Sequence, residues 1–146
     1  MNFNQFIQQA AARPRQLFLL DGLGALLSAL LLGVVLPRFQ SLVGIPFHTL
    51  YLLATFPVFF AAFDCFSYRK KEGTLALQLK IIAILNGLYC GLSLGLALYH
   101  QTQLTHLGWL YIVVEVLIVG GLAIFEWRVA KRMEDGEKEQ KDKLAL

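Results

Sequence analysis

The chain contains four long apolar segments, at about residues 17–36, 47–67, 79–99 and 107–127. A helix of about 20 mainly apolar residues crosses the ~30 Å hydrocarbon core of a bilayer, and each segment has about that length. Charged residues make up 16% of the chain, against ~25% in ordinary soluble domains, and they lie almost entirely outside the segments. The sequence therefore predicts an all-α polytopic membrane protein, a four-transmembrane-helix up-down bundle.

The positive charges predict which side of the membrane each connection faces. Of the 13 lysine and arginine residues, all except Arg38 fall in the N-terminal tail, the 69–80 connection or the C-terminal tail. Because cytoplasmic connections carry the excess of basic residues, we expect both termini to be cytoplasmic. This bias and the compact chain favour the inner membrane of a bacterium. The basic residues flank helix ends, where they meet lipid head groups, so the net charge of +3 does not indicate nucleic-acid binding.

The segments divide the chain into a transmembrane domain, residues 17–127, and two cytoplasmic tails. In the N-terminal tail, residues 1–16, Phe3, Phe6 and Ile7 recur with helical spacing, which is typical of a short amphipathic helix on the membrane surface. A disordered tail is the alternative. The C-terminal tail, residues 128–146, is charged and has the composition of a solvated helical extension.

Both cysteines, Cys65 and Cys90, fall inside spans, and the chain has no C-x-x-C pair. A dithiol relay therefore has no residues to run on, and we interpret both cysteines as small buried side chains. No cofactor is expected from the sequence.

Acidic and amide side chains occur inside the spans, where ionisable groups are costly and face the bundle interior, a water cavity or the interface. On the predicted topology Asp21, Asp64 and Asn86 lie at similar depth in the cytoplasmic half, which predicts an inward polar pocket. The aspartates either share a proton or hold a cation, or else they pair with basic residues near the interface. Those basic residues are Lys80, Arg15 and Arg69. Asn86 is expected to form interhelical hydrogen bonds, with ligand binding as the alternative.

Glu115 in span 4 is the sharpest single candidate for a functional residue. It lies about eight residues from the outer boundary, ~12 Å deep at ~1.5 Å per residue, and no lysine or arginine is expected at that depth. Its carboxyl group is then neutral, hydrogen-bonded across helices, or exposed to a cavity. The candidate partners on the neighbouring helix are Tyr89 and Ser93, and Tyr111 shares the helical face of Glu115 as a further candidate for the site. A proton or ligand site and a purely structural hydrogen bond both remain open, and Glu126 shares the helical face nearer the interface.

Small residues recur at intervals of four in two of the spans. They are Gly87, Gly91 and Gly95 in span 3, and Ala25, Ala29 and Gly33 in span 1. Such stripes let helix backbones approach closely, so we expect spans 1 and 3 to pack together, with a second protomer as the alternative partner of the glycines. Beside the glycines runs a polar stripe consisting of Asn86, Tyr89, Ser93 and His100.

All three histidines, His48, His100 and His106, fall at the outer ends of spans. Their convergence would create a three-histidine metal site or a set of haem ligands. Their spacing has no recognised ligand signature, so no metal is expected, and ordinary interfacial histidines are the favoured interpretation.

Three classes of function are compatible with this pattern. The first is a non-enzymatic membrane protein that binds a hydrophobic ligand or a partner membrane protein through its helix bundle. The second is a proton- or cation-coupled transporter that acts as a homo-oligomer, with Glu115 carrying the coupled charge. The third is a membrane enzyme acting on a lipid or isoprenoid, with Glu115 as acid-base and Tyr89 assisting.

Overall fold

The computed structural model describes residues 2–145. Most of these residues are helical, and none of them forms a strand. The helices are α1 (Phe3–Ala12), α2 (Pro14–Leu30), α3 (Gln40–Val43), α4 (Phe47–Tyr68), α5 (Leu75–Tyr99) and α6 (His106–Leu144). Four of them, α2 with its extension to Arg38, α4, α5 and α6, are long and apolar enough to cross a membrane. They correspond to predicted spans 1 to 4. The prediction of an all-helical chain with four membrane-spanning helices is confirmed.

Span 1 does not end where regular α-helix ends. After Leu30 the chain continues through a π-helical turn at Leu31–Val35 and a last turn at Leu36–Arg38. Within this segment the amide of Leu36 donates to the carbonyl of Leu31, five residues back. A π-turn is a local widening of a helix. It falls just before Pro37, which has no amide hydrogen to continue the regular pattern.

The helices pack mainly as two pairs, α2 against α4 and α5 against α6, and α2 contacts α5 only marginally. The predicted packing of spans 1 and 3 through their small residues is therefore wrong. In span 1, Ala25 and Ala29 are half-buried, and Gly33 faces α4, where a Cβ on it would lie 3.5 Å from the Cβ of Ala54. The glycines of α5 lie on its outer face instead. Gly87, Gly91 and Gly95 are all exposed, and a Cβ built on any of them meets no atom within 4 Å.

The connection between α2 and α4 is attached to the start of α6. The backbone amide of Thr105 donates to the carbonyl of Val43 at 3.2 Å, and its hydroxyl donates to the carbonyl of Leu42 at 2.5 Å. Gly108 permits this contact, because a Cβ there would collide with the Val43 carbonyl. Gly44 turns the chain with a φ of 76°, a left-handed conformation that glycine adopts without strain. This contact joins the α2–α4 pair to α6 at this end of the bundle.

At the opposite end, α1 lies against α6. The rings of Phe3 and Phe6 pack on Phe125 with centroids 6.4 Å and 5.6 Å apart, and the guanidinium of Arg128 lies 5.3 Å from the Phe3 centroid. Helix α6 continues without a break to Leu144, well beyond the apolar part of span 4.

Candidate functional site

One face of α5 is polar along most of the membrane-spanning length and points into the bundle. Asn86, Tyr89 and Ser93 are all buried, and His100 lies half-buried just past the C-terminal end of the helix. From Asn86 to His100 the helix rises ~20 Å at ~1.5 Å per residue. The polar stripe of span 3 is thus the interior face of the bundle, and each of the other three spans contributes a polar group to it.

The first group of contacts forms a carboxyl cluster, which we define as Asp21, Asp64 and Glu126 together with Asn86. The Nδ2 atom of Asn86 donates to both carboxyl oxygens of Asp21 at 3.3 Å and to Oε2 of Glu126 at 3.4 Å. Asn86 therefore joins α2, α5 and α6 at one point. This agrees with the expectation that Asn86 forms interhelical hydrogen bonds. Glu126 was placed near the interface by sequence, yet it is 0% exposed.

Asp64 brings α4 into the same cluster. Its side chain is 1% exposed, and its carboxyl group lies within interaction range of Asp21 and Glu126. Gly22 lets α2 approach this residue, because a Cβ on Gly22 would lie only 3.3 Å from the Cβ of Asp64. Neither carboxyl oxygen of Asp64 has a hydrogen-bond partner among residues 2–145, and Oε1 of Glu126 also has none.

The carboxyl cluster contains no basic side chain. Within the described part of the chain, the ion pairs are Lys80 with Glu134 at 2.6 Å and Lys143 with Glu139 at 2.7 Å. Arg15 donates to the backbone carbonyl of Lys70 at 3.3 Å. The alternative in which the two aspartates pair with Lys80, Arg15 or Arg69 is therefore not what the structure contains. The three acids face one another and a single amide.

The second group of contacts surrounds Glu115, which lies about three turns before Glu126 on α6. The hydroxyl groups of Tyr89 and Tyr111 donate to the same oxygen, Oε1, at 3.1 Å and 3.2 Å. The other oxygen, Oε2, has no partner among the described residues, although the residue is only 6% exposed. The rings of Phe56 and Phe60 pack around Tyr89, with centroids 6.1 Å and 5.9 Å away. Glu115 thus lies among aromatic side chains, and two tyrosine hydroxyl groups donate to its carboxyl group.

Ser93 was a candidate partner of Glu115, but its buried hydroxyl has no hydrogen-bond partner within residues 2–145. It lines a small cavity of about 10 Å³ together with Thr49 and His100. A cavity of this size holds about one water molecule. The hydroxyl of Thr49 lies 3.2 Å from Nε2 of His100, so polar groups continue from Ser93 to the C-terminal end of α5.

The three histidines do not converge. The rings of His48 and His100 are 5.6 Å apart between centroids, whereas His106 is exposed at the start of α6. Among the described residues, no group of three histidine, cysteine or acidic side chains has the arrangement of a metal site. The cysteines also differ from each other. Cys90 is buried as predicted, but the prediction for Cys65 is wrong, because that side chain is exposed.

Comparison of the chain with protein-family models, with curated proteins and with solved structures gives no match. The function must therefore be argued from the site. Its chemistry is that of buried carboxyl groups that neutral donors contact and that lack basic partners. Without a basic partner, the charge of a buried carboxylate is removed by a proton or balanced by a bound cation.

Proposed function

We propose that this protein is a small proton transporter, in which buried carboxyl groups take up and release protons and Glu115 carries the transported charge. The observation that carries the proposal is the set of four buried acids without a basic partner among residues 2–145. These acids are Asp21, Asp64, Glu115 and Glu126. Acids inside a membrane domain commonly belong to ion or proton pathways, because a purely structural role does not offset the cost of burying them.

The distribution of these groups along the membrane normal supports the same proposal. The carboxyl cluster lies toward the end of the bundle where the basic connections are, and Glu115 lies farther from it along α6. Asn86, Tyr89, Ser93 and His100 continue the polar interior on α5 beside both. Short rearrangements of side chains and water would let a proton pass along such a series.

The basic residues at that end support the orientation that the sequence predicts, an up-down bundle with both termini cytoplasmic and, for a bacterial protein, insertion in the inner membrane. In this orientation the carboxyl cluster exchanges protons with the cytoplasm. Glu115 exchanges them with the opposite side through Ser93 and the outer cavity.

Proton flux in reconstituted vesicles tests this function. A pH gradient is imposed across vesicles that contain the purified protein, the membrane voltage is clamped with potassium and valinomycin, and a trapped dye reports the internal pH. We expect wild-type vesicles to dissipate the gradient faster than empty vesicles, and Glu115→Gln to reduce the rate to that of empty vesicles.

The matched control is Glu137→Gln, which makes the same change in the exposed extension of the same helix. It should conduct protons at the wild-type rate. Wild-type protein that conducts no faster than empty vesicles would exclude the proposal. So would a Glu115→Gln variant that folds and conducts like wild type.

A second observation favours the packing of another helix against α5. Gly87, Gly91 and Gly95 form an exposed small-residue stripe on α5, where a neighbouring helix can approach the backbone closely. We propose a second copy of this chain as the partner, which makes the transporter a homo-oligomer. Energy transfer between labelled protomers in lipid bicelles measures this association directly.

For this test Gly91→Leu fills the centre of the stripe and should lower the transfer efficiency to that of a monomeric control. Gly24→Leu is the matched substitution at an exposed glycine on another span, and it should leave association unchanged. A Gly91→Leu variant that associates like wild type would rule out the stripe as the interface.

A further inference from the structure

A groove opens between α1, the start of α2 and α6, at the end of the molecule where span 1 begins. Its volume is about 660 Å³. Leu20 and Phe6 line it and are 60% and 48% exposed, and Leu17 and Phe125 complete its apolar wall. Helix α2 starts at Pro14, so Leu20 lies ~9 Å inside the membrane-spanning helix at ~1.5 Å per residue. In a membrane that span 1 crosses, this wall faces the acyl chains just below the head groups.

The opposite side of the groove is polar. It consists of Gln9 of α1, Arg13 at the junction of the two helices, and Gln16 of α2, and all three residues are exposed. Within the described part of the chain, Arg13 is the only charged residue that lines the groove, and it makes no ion pair. Because a guanidinium group keeps its positive charge over the physiological pH range, the groove contains an accessible cation at the depth of the lipid head groups.

Arg13 also lines a neighbouring cleft, and the charges of that cleft do not neutralise it. The other charged residues there are Arg15, Arg132, Glu72 and Glu137. These two arginines are matched by two glutamates, so the positive charge of Arg13 is left over. Neither glutamate lines the groove.

The groove thus combines an apolar wall next to the acyl chains with an accessible cation and two amides at head-group depth. We propose that it binds an anionic phospholipid of the surrounding leaflet, phosphatidylglycerol. The phosphate accepts hydrogen bonds from Arg13, the glycerol hydroxyls of the head group bond to Gln9 and Gln16, and one acyl chain lies along Leu17 and Leu20.

The charge of the groove distinguishes this lipid from its neighbours in a membrane. The head group of phosphatidylethanolamine adds an ammonium, which would lie beside the guanidinium of Arg13 and meet no carboxylate among the described lining residues. Phosphatidylcholine adds a quaternary ammonium, which also has no hydrogen-bond donor. The hydroxyls of phosphatidylglycerol can donate to and accept from glutamine amides, so the groove favours this lipid over both. The inference goes beyond proton transport and requires only that span 1 crosses the membrane.

Photo-crosslinking tests both where the lipid binds and which head group it needs. The protein is reconstituted in phosphatidylcholine vesicles that contain a small, equal fraction of phosphatidylglycerol or phosphatidylethanolamine with a diazirine on one acyl chain. After illumination, the labelled peptides are quantified by mass spectrometry. We expect the phosphatidylglycerol probe to label residues 6–20 and the segment around Phe125 about fivefold more than the other probe, the ratio that one basic residue at a membrane surface provides. In Arg13→Gln the two probes should label these residues equally.

The matched control is Arg15→Gln, which makes the same substitution at a neighbouring exposed arginine outside the groove. It should retain the wild-type preference. Equal labelling by the two probes in the wild type would overturn the proposal, as would a preference that survives in Arg13→Gln. A preference lost equally in Arg15→Gln would mean that the basic end attracts anionic lipid without a site, and it would overturn the proposal too. The measurement uses no pH gradient, so an absence of proton flux and an absence of lipid selectivity are separate results.

Discussion

The two acidic regions of the bundle differ in how many donors serve each carboxyl group. Glu115 has two phenol hydroxyls, from Tyr89 and Tyr111, on one of its oxygens. The carboxyl cluster has three acids and one amide, that of Asn86, which donates to two of them. Glu115 therefore has two side-chain donors of its own, whereas in the cluster a single amide serves two of the three acids and donates nothing to Asp64. The cluster therefore needs protons or a cation from outside the chain, whereas hydrogen bonds from the chain itself hold Glu115 in position.

The largest expected effect comes from removing the only donor of the cluster. Asn86→Leu leaves Asp21 and Glu126 buried without a partner, and it should lower the free energy of unfolding by about 3 kcal/mol. Unfolding in mixed detergent micelles, followed by circular dichroism, measures this change. The control is Leu88→Ala on the lipid-facing side of the same helix, which should change stability little. A loss equal to that of the control would mean that the cluster is not held by Asn86.

The next effect has the opposite sign. Asp64→Asn replaces a buried acid that has no donor by an amide that can itself donate to Asp21, so it should raise the free energy of unfolding by about 1–2 kcal/mol. Unfolding in the same mixed detergent micelles measures this change. A destabilised Asp64→Asn variant under these conditions would contradict the description of the cluster as short of donors.

Around Glu115, removing a hydrogen-bond donor is expected to lower the free energy of unfolding. Tyr89→Phe and Tyr111→Phe each remove one donor and should each lower the free energy of unfolding by about 1 kcal/mol. Because both hydroxyls donate to the same oxygen, the double variant should depart from additivity in a double-mutant cycle. Strict additivity, or no loss in either variant, would place the two tyrosines outside a common site.

The smallest effect is expected at Ser93. Its hydroxyl is buried without a partner among the described residues, so Ser93→Ala should change the free energy of unfolding by less than about 0.5 kcal/mol. Thermal denaturation in the same detergent measures this. A large loss would reveal a structural hydrogen bond of Ser93 and remove it from the proton pathway.

Much of the fold could be predicted from sequence because the membrane imposes it. The length and hydropathy of the four segments follow from the thickness of the bilayer. The inward polar stripe of α5 was predictable for a related reason: polar groups avoid hydrocarbon, so Asn86, Tyr89 and Ser93 lie inside. The bond from Tyr89 to Glu115 follows from the same rule, since an acid at that depth needs a donor from a neighbouring helix.

The pairing of the helices was not predictable in the same way. Hydrophobic burial does not drive helix association within lipid, so the glycines of α5 can face the bilayer as readily as another helix. Span 1 packs on α4 through contacts such as Gly33 with Ala54, which depend on the shapes of both helices. Depth near the interface was also difficult to predict. Glu126 lies about three helical turns beyond Glu115 and is fully buried in the bundle, where it accepts a hydrogen bond from Asn86.

Infrared difference spectroscopy of Glu115 in lipid tests most directly whether the buried acids exchange protons. Spectra of the reconstituted wild type are recorded over the pH range in which it stays folded, and the spectra of Glu115→Gln are subtracted to isolate the carboxyl band. If Glu115 exchanges protons, the band changes with pH from that of the protonated carboxyl group to that of the carboxylate. Its position also shifts in Tyr89→Phe. A band that stays constant throughout that range would mean that Glu115 is a structural hydrogen-bond acceptor and would contradict the proposed transport.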